Sequence, residues 1–334
     1  MKSFARYLSY RLEQSILRTV VFTVLSVLLA QNVISDAIRG EPEYATSGLS
    51  ILAVIISIFS AVIPMMESAR FKKRRNLDAI FSFPISRGQL ALVNYLSGWI
   101  QVFVIYSVTF TAAYPLWASK SDLFALSHLL PYYLFSIGIG LVMYSFFLFL
   151  FGEANSVTDG VIFCILGIYL LYLLSSSVCL LLSINMNQFD FDLFWMNAFA
   201  PIDKLTTLFQ DRIHLIYQDP YYGIRFAVKS FYMFAVWAVI GVACTVGYFL
   251  SFVRQKAEKA GDISDSWFGY RTMVPIYAYS AFLWVSGIEF VGIIIWILMF
   301  AGYFIYRRSF RLKVSDIVVI ACSLIPMLYS MTFH

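Results

Sequence analysis

From Gly88 to Ser119, and again from Gly160 to Ile184, the chain runs without a single Asp, Glu, Lys or Arg. In hydrocarbon every backbone N–H and C=O must be satisfied internally, so stretches like these can cross a bilayer only as helices or as closed barrels. Their length suits a helix, which needs about 20 mostly apolar residues to traverse about 30 Å of hydrocarbon. Only 13% of the 334 residues are charged and 60% are hydrophobic, whereas an ordinary globular domain is about a quarter charged. The expected fold class is all-α and polytopic, a multi-pass membrane protein.

Segments of spanning length, each bounded by charges or turn residues, fall at about 19–35, 49–66, 89–116, 129–151, 160–184 and 231–253. Shorter ones follow at 273–286, 291–306 and 317–331. Six core transmembrane helices and about three additional C-terminal ones are therefore expected, in a core of residues 1–255 and an extension of residues 256–334. Residues 1–18 are read as an N-terminal interfacial helix. Phe4, Leu8, Leu12 and Ile16 form an apolar stripe at four-residue spacing, Arg6 and Glu13 lie opposite, and Lys2, Arg11 and Arg18 flank it. A secretory signal would instead have a short apolar centre followed by a small-residue cleavage site. Residues 185–229 drop in hydropathy and mix Asp190, Asp192, Asp203 and Asp211 with Phe and Trp. They are read as an external loop carrying a short helix at 189–195 at headgroup level, where aromatic rings are favoured.

Lys and Arg cluster at 70–75 and again at Arg307, Arg308, Arg311 and Lys313. Such clusters beside apolar spans mark the cytoplasmic side, which also places the N-terminus in the cytoplasm. The net charge of +5 is accounted for by this topology and gives no argument for nucleic-acid binding. Cys164, Cys179, Cys244 and Cys322 lie in apolar stretches without CxxC spacing, and His128, His214 and His334 are far apart, so no metal site is expected.

The insert at 67–88 carries the most specific pattern. Leu77, Ile80 and Phe81 sit at i, i+3 and i+4, one face of a short helix, with Arg74, Arg75 and Asp78 as a polar rim. Pro84 stops that helix and biases Phe83 to an extended conformation. Ser86 and Gln89 then have the Ser-x-x-Gln spacing of a capping box that opens the third span. This basic-rimmed apolar knuckle suits either an interfacial turn resting on anionic lipid or a docking element for a partner protein.

The amphipathic start, the six core spans and the run Phe83-Pro84-Ile85-Ser86-Arg87 together resemble the membrane subunit of type-2 ABC transporters, the permease class of bacterial ABC exporters. In that family a cytosolic segment after the second span ends in a Leu-Pro-x-Ser/Thr-Arg-like run and contacts the ATPase; Phe83 stands here in place of the Leu. The resemblance covers residues 1–255 as topology and about 70–95 as motif. It implies that Arg74, Arg75, Leu77, Asp78, Ile80, Phe81, Phe83, Pro84, Ser86 and Arg87 form the coupling surface. It implies two copies of a separate ABC ATPase that hold ATP and Mg, and a second permease subunit, identical or homologous, all at the bacterial cytoplasmic membrane among its lipids. The cargo implied is amphipathic, a drug, an antimicrobial peptide or a lipid, as in multidrug or peptide resistance. Residues 257–261 and 306–311 are similar to tails of permeases of this class that carry extra spans.

No Gly-x-x-x-x-Gly-Lys-Ser/Thr run is present, so the chain is not expected to hydrolyse ATP or to bind a cofactor itself. Glu67, Glu153 and Glu289 fall near span ends, where they are expected to reach water, which gives no ion pathway. Gln31, Asn32, Asn94, Gln101, Ser175 and Ser176 lie at depth, and either bond neighbouring helices or line a substrate path. The alternatives to a permease are a non-transporting membrane sensor or assembly factor, and an intramembrane enzyme, for which no nucleophile–base pair stands out. If both basic loops are cytoplasmic, cysteines introduced as Ser82→Cys and Ser309→Cys resist an impermeant thiol reagent in intact cells. Labelling of Ser82→Cys from outside overturns the topology.

Overall fold

The computed structural model describes residues 2–39, 48–73, 85–119, 126–181, 197–218, 222–255, 257–262, 264 and 266, with scattered positions between 273 and 317. Among these, the helices are α1 (Lys2–Arg39), α2 (Gly48–Ser68), α3 (Arg87–Ala118), α4 (Leu126–Glu153), α5 (Val157–Leu181), α6 (Ala200–Gln218) and α7 (Tyr222–Arg254). Short 3-10 turns follow α2 at Ala69–Lys72 and α7 at Ala257–Lys259, and no strand occurs among the described residues. Among the described residues, five stretches are long and apolar enough to cross a membrane: Phe4–Ser35, Gly48–Lys72, Arg87–Ala118, Leu129–Glu153 and Phe234–Arg254. The expected span at 160–184 falls on α5, while those at 273–286, 291–306 and 317–331 lie, scattered positions apart, outside the described residues.

The chain divides into two compact units, Met1–Gly152 with Phe199–Glu258, and Glu153–Ala198 with Lys259–His334. In the first, a Cβ on Gly48 would lie 3.1 Å from Trp117 Nε1 and 3.2 Å from Ile34, so the end of α1, the start of α2 and the end of α3 meet. At the other end Arg11 of α1, Glu67 of α2 and Asn94 of α3 meet. Hence α1 and α3 run parallel, with α2 antiparallel to both. Helix α4 runs alongside α2, because the Tyr132 hydroxyl donates to Leu49 O at 3.1 Å and Lys72 Nζ donates to Gly152 O at 2.8 Å. Helix α7 packs so closely on α4 that a Cβ on Gly241 would come within 2.9 Å of Val142. Small residues permit this approach where apolar side chains have no water to escape from and contact itself drives association.

Helix α1 differs from expectation. It is unbroken from Lys2 to Arg39, with no boundary at residue 18 between an interfacial helix and a span. Its buried face is Tyr7, Arg11, Ser15, Ser26, Ala30 and Ile34, whereas Phe4, Leu8 and Leu12 are half-buried and Ile16 is exposed. Over the middle of α1 the apolar Leu17, Val21, Val24, Leu25, Leu28 and Leu29 turn outward while Arg11, Ser15 and Ser26 turn inward, the reverse of a water-soluble helix and the favourable arrangement against lipid. At 1.5 Å per residue α1 is about 57 Å long, well beyond the about 30 Å of hydrocarbon.

Part of the segment read as an external loop is also ordered. Residues 189–195 lie outside the described set, but Ala200–Gln218 forms α6, whose Ala200, Ile202, Leu205 and Thr206 are buried. The Tyr132 and Thr206 hydroxyls bond at 3.1 Å and Gln210 Nε2 donates to Ser50 Oγ at 3.1 Å, which fixes α6 to α4 and α2. In the second unit, Ser156 caps α5 by accepting from Asp159 N at 3.1 Å. The chain after Lys259 is stapled to that turn by Ser264 N donating to the Asp159 carboxylate at 3.0 Å, and by Gly261 N donating to Asn155 O at 2.9 Å. Gly261 adopts φ +85°, a conformation that favours glycine.

The α3–α4 contact is tight enough to test. A Cβ on Gly98 would sit 2.3 Å from the Tyr144 hydroxyl, which donates to Tyr95 O at 3.0 Å from a fully buried ring. Gly98→Ala is expected to cost about 1–3 kcal/mol by overpacking. Adding Tyr144→Phe removes the clashing atom and should recover part of that loss in thermal unfolding in detergent. A Gly98→Ala chain as stable as the unsubstituted one refutes the packing.

Candidate functional site: a buried charge cluster behind the basic insert

The cluster follows from helix periodicity. Arg11 and Arg18 are seven residues apart on α1, as are Asn94 and Gln101 on α3, and seven residues are about two turns, so each pair stays on one face. Parallel packing of α1 on α3 then sets Arg11 against Asn94 and Arg18 against Gln101. The last turn of α2 brings Glu67 between the two rungs.

Glu67 is fully buried, at 0% exposure. Its Oε2 accepts from Arg11 Nη2 and from Ser97 Oγ at 3.4 Å, with Arg70 Nη2 at 3.5 Å. Its Oε1 accepts from Arg18 Nη2 and from Gln101 Nε2 at 3.0 Å. Arg11 is 2% exposed, Arg18 21% and Arg70 26%. Asn94 Nδ2 continues the network, donating to Ser68 Oγ at 3.0 Å and to the Tyr248 hydroxyl at 2.9 Å, so α7 is tied in as well. One carboxylate thus links four helices, and charge-assisted bonds of this kind are about twice as strong as neutral ones.

Immediately beyond lie two further cations, one on each flank of residues 74–84. Lys72 is buried and donates to Gly152 O at the C-terminal end of α4, 5.8 Å above the Phe151 ring centroid. Arg87 Nη1 donates to Val253 O at 3.3 Å and to Gln255 O at 3.0 Å, at the end of α7. A cation at a helix C-terminus meets unsatisfied carbonyls and the negative end of the helix dipole. A small cavity of about 10 Å³, room for roughly one water, lies among Ser68, Phe71, Lys72, Gly152, Tyr248 and Phe252.

Of the residues singled out from sequence, Arg74, Arg75, Leu77, Asp78, Ile80, Phe81, Phe83 and Pro84 lie outside the described residues. Ser86 caps α3 as its spacing implies, accepting from Gln89 N at 3.3 Å while Gln89 Oε1 accepts from Ser86 N at 3.3 Å. Asn94 and Gln101 are brought together around Glu67. Gln31 and Asn32 are exposed on α1, about 20 Å further along the helix from Arg18 by its rise per residue. Ser175 and Ser176 belong to α5, and their side chains are outside the described set. Glu67 requires a correction: it was expected to reach water at a span end, but the inward-facing arginines of α1 enclose it. Arg11 and Arg18 were read only as flanking charges, and Tyr248 carried no signal. The matching seven-residue spacings were the available clue, and they become meaningful only once the α1–α3 register is known.

No protein-family model matches this chain, and no curated protein resembles it closely enough to count as a relative. The cluster itself makes a sharp prediction. Removing one partner of a buried ion pair costs about 3–5 kcal/mol because the other charge is left uncompensated. Glu67→Ala should therefore lower the unfolding midpoint severely, whereas Arg70→Ala, part-exposed and at 3.5 Å, should cost at most about 1 kcal/mol. Equal effects of the two substitutions would refute the assignment of Glu67 as the hub.

Proposed function

We propose that this chain is the transmembrane permease subunit of an ATP-driven ABC exporter that moves an amphipathic substrate, a drug, an antimicrobial peptide or a lipid, across a bacterial cytoplasmic membrane. The observation that carries the proposal is the anchoring of both flanks of residues 74–84. Lys72 grips the end of α4 and Arg87 grips the end of α7, while Glu67 ties the same end of α2 to α1 and α3. A docking element mounted between two such anchors would pass displacement to all five of these helices at once. In this reading a pair of partner ATPases, holding ATP and Mg, closes on the apolar knuckle of Leu77, Ile80 and Phe81. Closure favours one arrangement of the bundle over another through contacts that differ between the two, which is population shift by differential binding. A second permease subunit, identical or homologous, completes the translocation path.

Isolation in mild detergent decides between a permease and a sensor or assembly factor. A P-loop ATPase should co-purify with the chain, and the chain alone should show no ATPase activity. Phe81→Asp would bury an unpaired carboxylate at the contact, which is costly, so co-purification and transport should fall together while membrane abundance stays level. Unchanged partner binding and transport in Phe81→Asp would rule out the coupling role.

A further inference from the structure

Around Glu67, three guanidinium cations face a single carboxylate among the described ion pairs, which leaves an excess of positive charge. Two donors in this group, Arg11 Nη1 and Arg18 Nε, are buried and have no acceptor among the described residues. Arg11 is itself 98% covered, and a buried unpartnered guanidinium N–H is among the costliest groups to leave unsatisfied. Nothing in the ion-pair network uses these donors, so they point to an anion that is not part of the chain.

We propose that the Arg11, Arg18 and Arg70 side of the cluster binds a phosphate oxyanion supplied by the headgroup of an anionic phospholipid. The planar guanidinium fork matches phosphate oxygens, and several forks converging on one group give selectivity for phosphate over a point anion. The lipid source follows from what lies beside Arg18. Arg18, part-exposed, sits at the edge of the inward face; Val21, Leu25 and Leu28 follow it at i+3, i+7 and i+10 on the adjoining outward side of α1 and are exposed, and no charged residue interrupts α1 until Asp36. A headgroup phosphate at Arg18 and Arg70 would leave its acyl chains lying along this apolar strip. Arg18 and Arg70, each part-exposed, provide the entry side, and Arg11 the buried end. Glu67 then acts as an internal competitor that holds the arginines in place when no phosphate is bound. This inference does not rest on the exporter reading.

The test uses the full chain purified in a neutral detergent, with the unfolding midpoint followed as phosphatidylglycerol, phosphatidylcholine or inorganic phosphate is added. Phosphatidylglycerol should raise the midpoint saturably and phosphatidylcholine should not. Arg18→Gln and Arg70→Gln should each weaken the apparent affinity for phosphatidylglycerol about tenfold, the scale of one charge-assisted hydrogen bond. Arg70→Gln serves if Arg18→Gln fails to fold. Glu67→Gln, which removes the competing carboxylate, should be less stable without lipid yet bind phosphatidylglycerol more tightly and gain more from it, a response that a purely structural ion pair would not give. A rise with inorganic phosphate equal to that with phosphatidylglycerol overturns the lipid as the source. Equal responses to the two lipids, or an unchanged response in both arginine variants, overturn the site.

Discussion

The first unit depends on one carboxylate. Glu67 closes the end of α2 against α1 and α3, and through Asn94 and Tyr248 against α7, using bonds that each need a particular partner at a particular height. Burying a charge is favourable only when its attraction and hydrogen bonds offset the loss of solvent. Glu67 meets that condition with donors to both oxygens. The arrangement is consequently intolerant of a shift in register. Shifting the register of α1 against α3 by one residue, a rise of about 1.5 Å coupled to a turn of about 100°, would carry Arg11 and Arg18 away from Glu67.

This hub explains why α1 is built inside out. A helix with Tyr7, Arg11, Ser15 and Ser26 on one face and Leu17, Val21, Leu25 and Leu28 on the other has two ways to lie, and the choice depends on what surrounds the bundle. In water the second face would turn inward. Against hydrocarbon it turns outward, and the arginines then gain partners in the protein interior that lipid cannot supply. The serines and threonines of the same helix add little to this selection, since Thr19, Thr23 and Ser26 spend their hydroxyls on carbonyls one turn back.

What could be read from the sequence and what could not divide along the range of the interaction. Candidate span positions were legible because charge-free length is a local property, and the Ser86–Gln89 box was legible because it closes within one turn. The burial of Glu67 was not, because its partners, Arg70 apart, lie 30 to 56 residues away and become neighbours only through packing. The same reason hid α6. Asp203 and Lys204 lower its hydropathy and suggest a loop, yet Ile202, Leu205 and Thr206 at i, i+3 and i+4 make a buried face that finds Tyr132 and Phe209 meets the same ring at 5.3 Å. Arg11 and Arg18 were misplaced for a different reason: cations near the start of an amphipathic helix normally look outward to headgroups, and the carboxylate that draws them inward is carried by another helix.

The two ends of this unit are held by different physics, and that difference bears on how it could move. At one end Ile34, Leu49, Trp117 and Leu129 are all fully buried in contacts that depend on fit, with only a few neutral hydrogen bonds from Tyr132 and Gln210 beside them. Such a surface can roll or tilt slightly while keeping most of its contact area. At the other end the bonds to Glu67, Lys72 and Arg87 are directional, so they are either made or exchanged for others, and intermediate positions lose them. A bundle with one compliant end and one end restricted to discrete partners has the makings of a lever with few stable positions. Lys72 and Arg87 both belong to the discrete end, so under the proposed coupling role a push delivered to the segment between them would act on bonds that must switch rather than on contacts that yield.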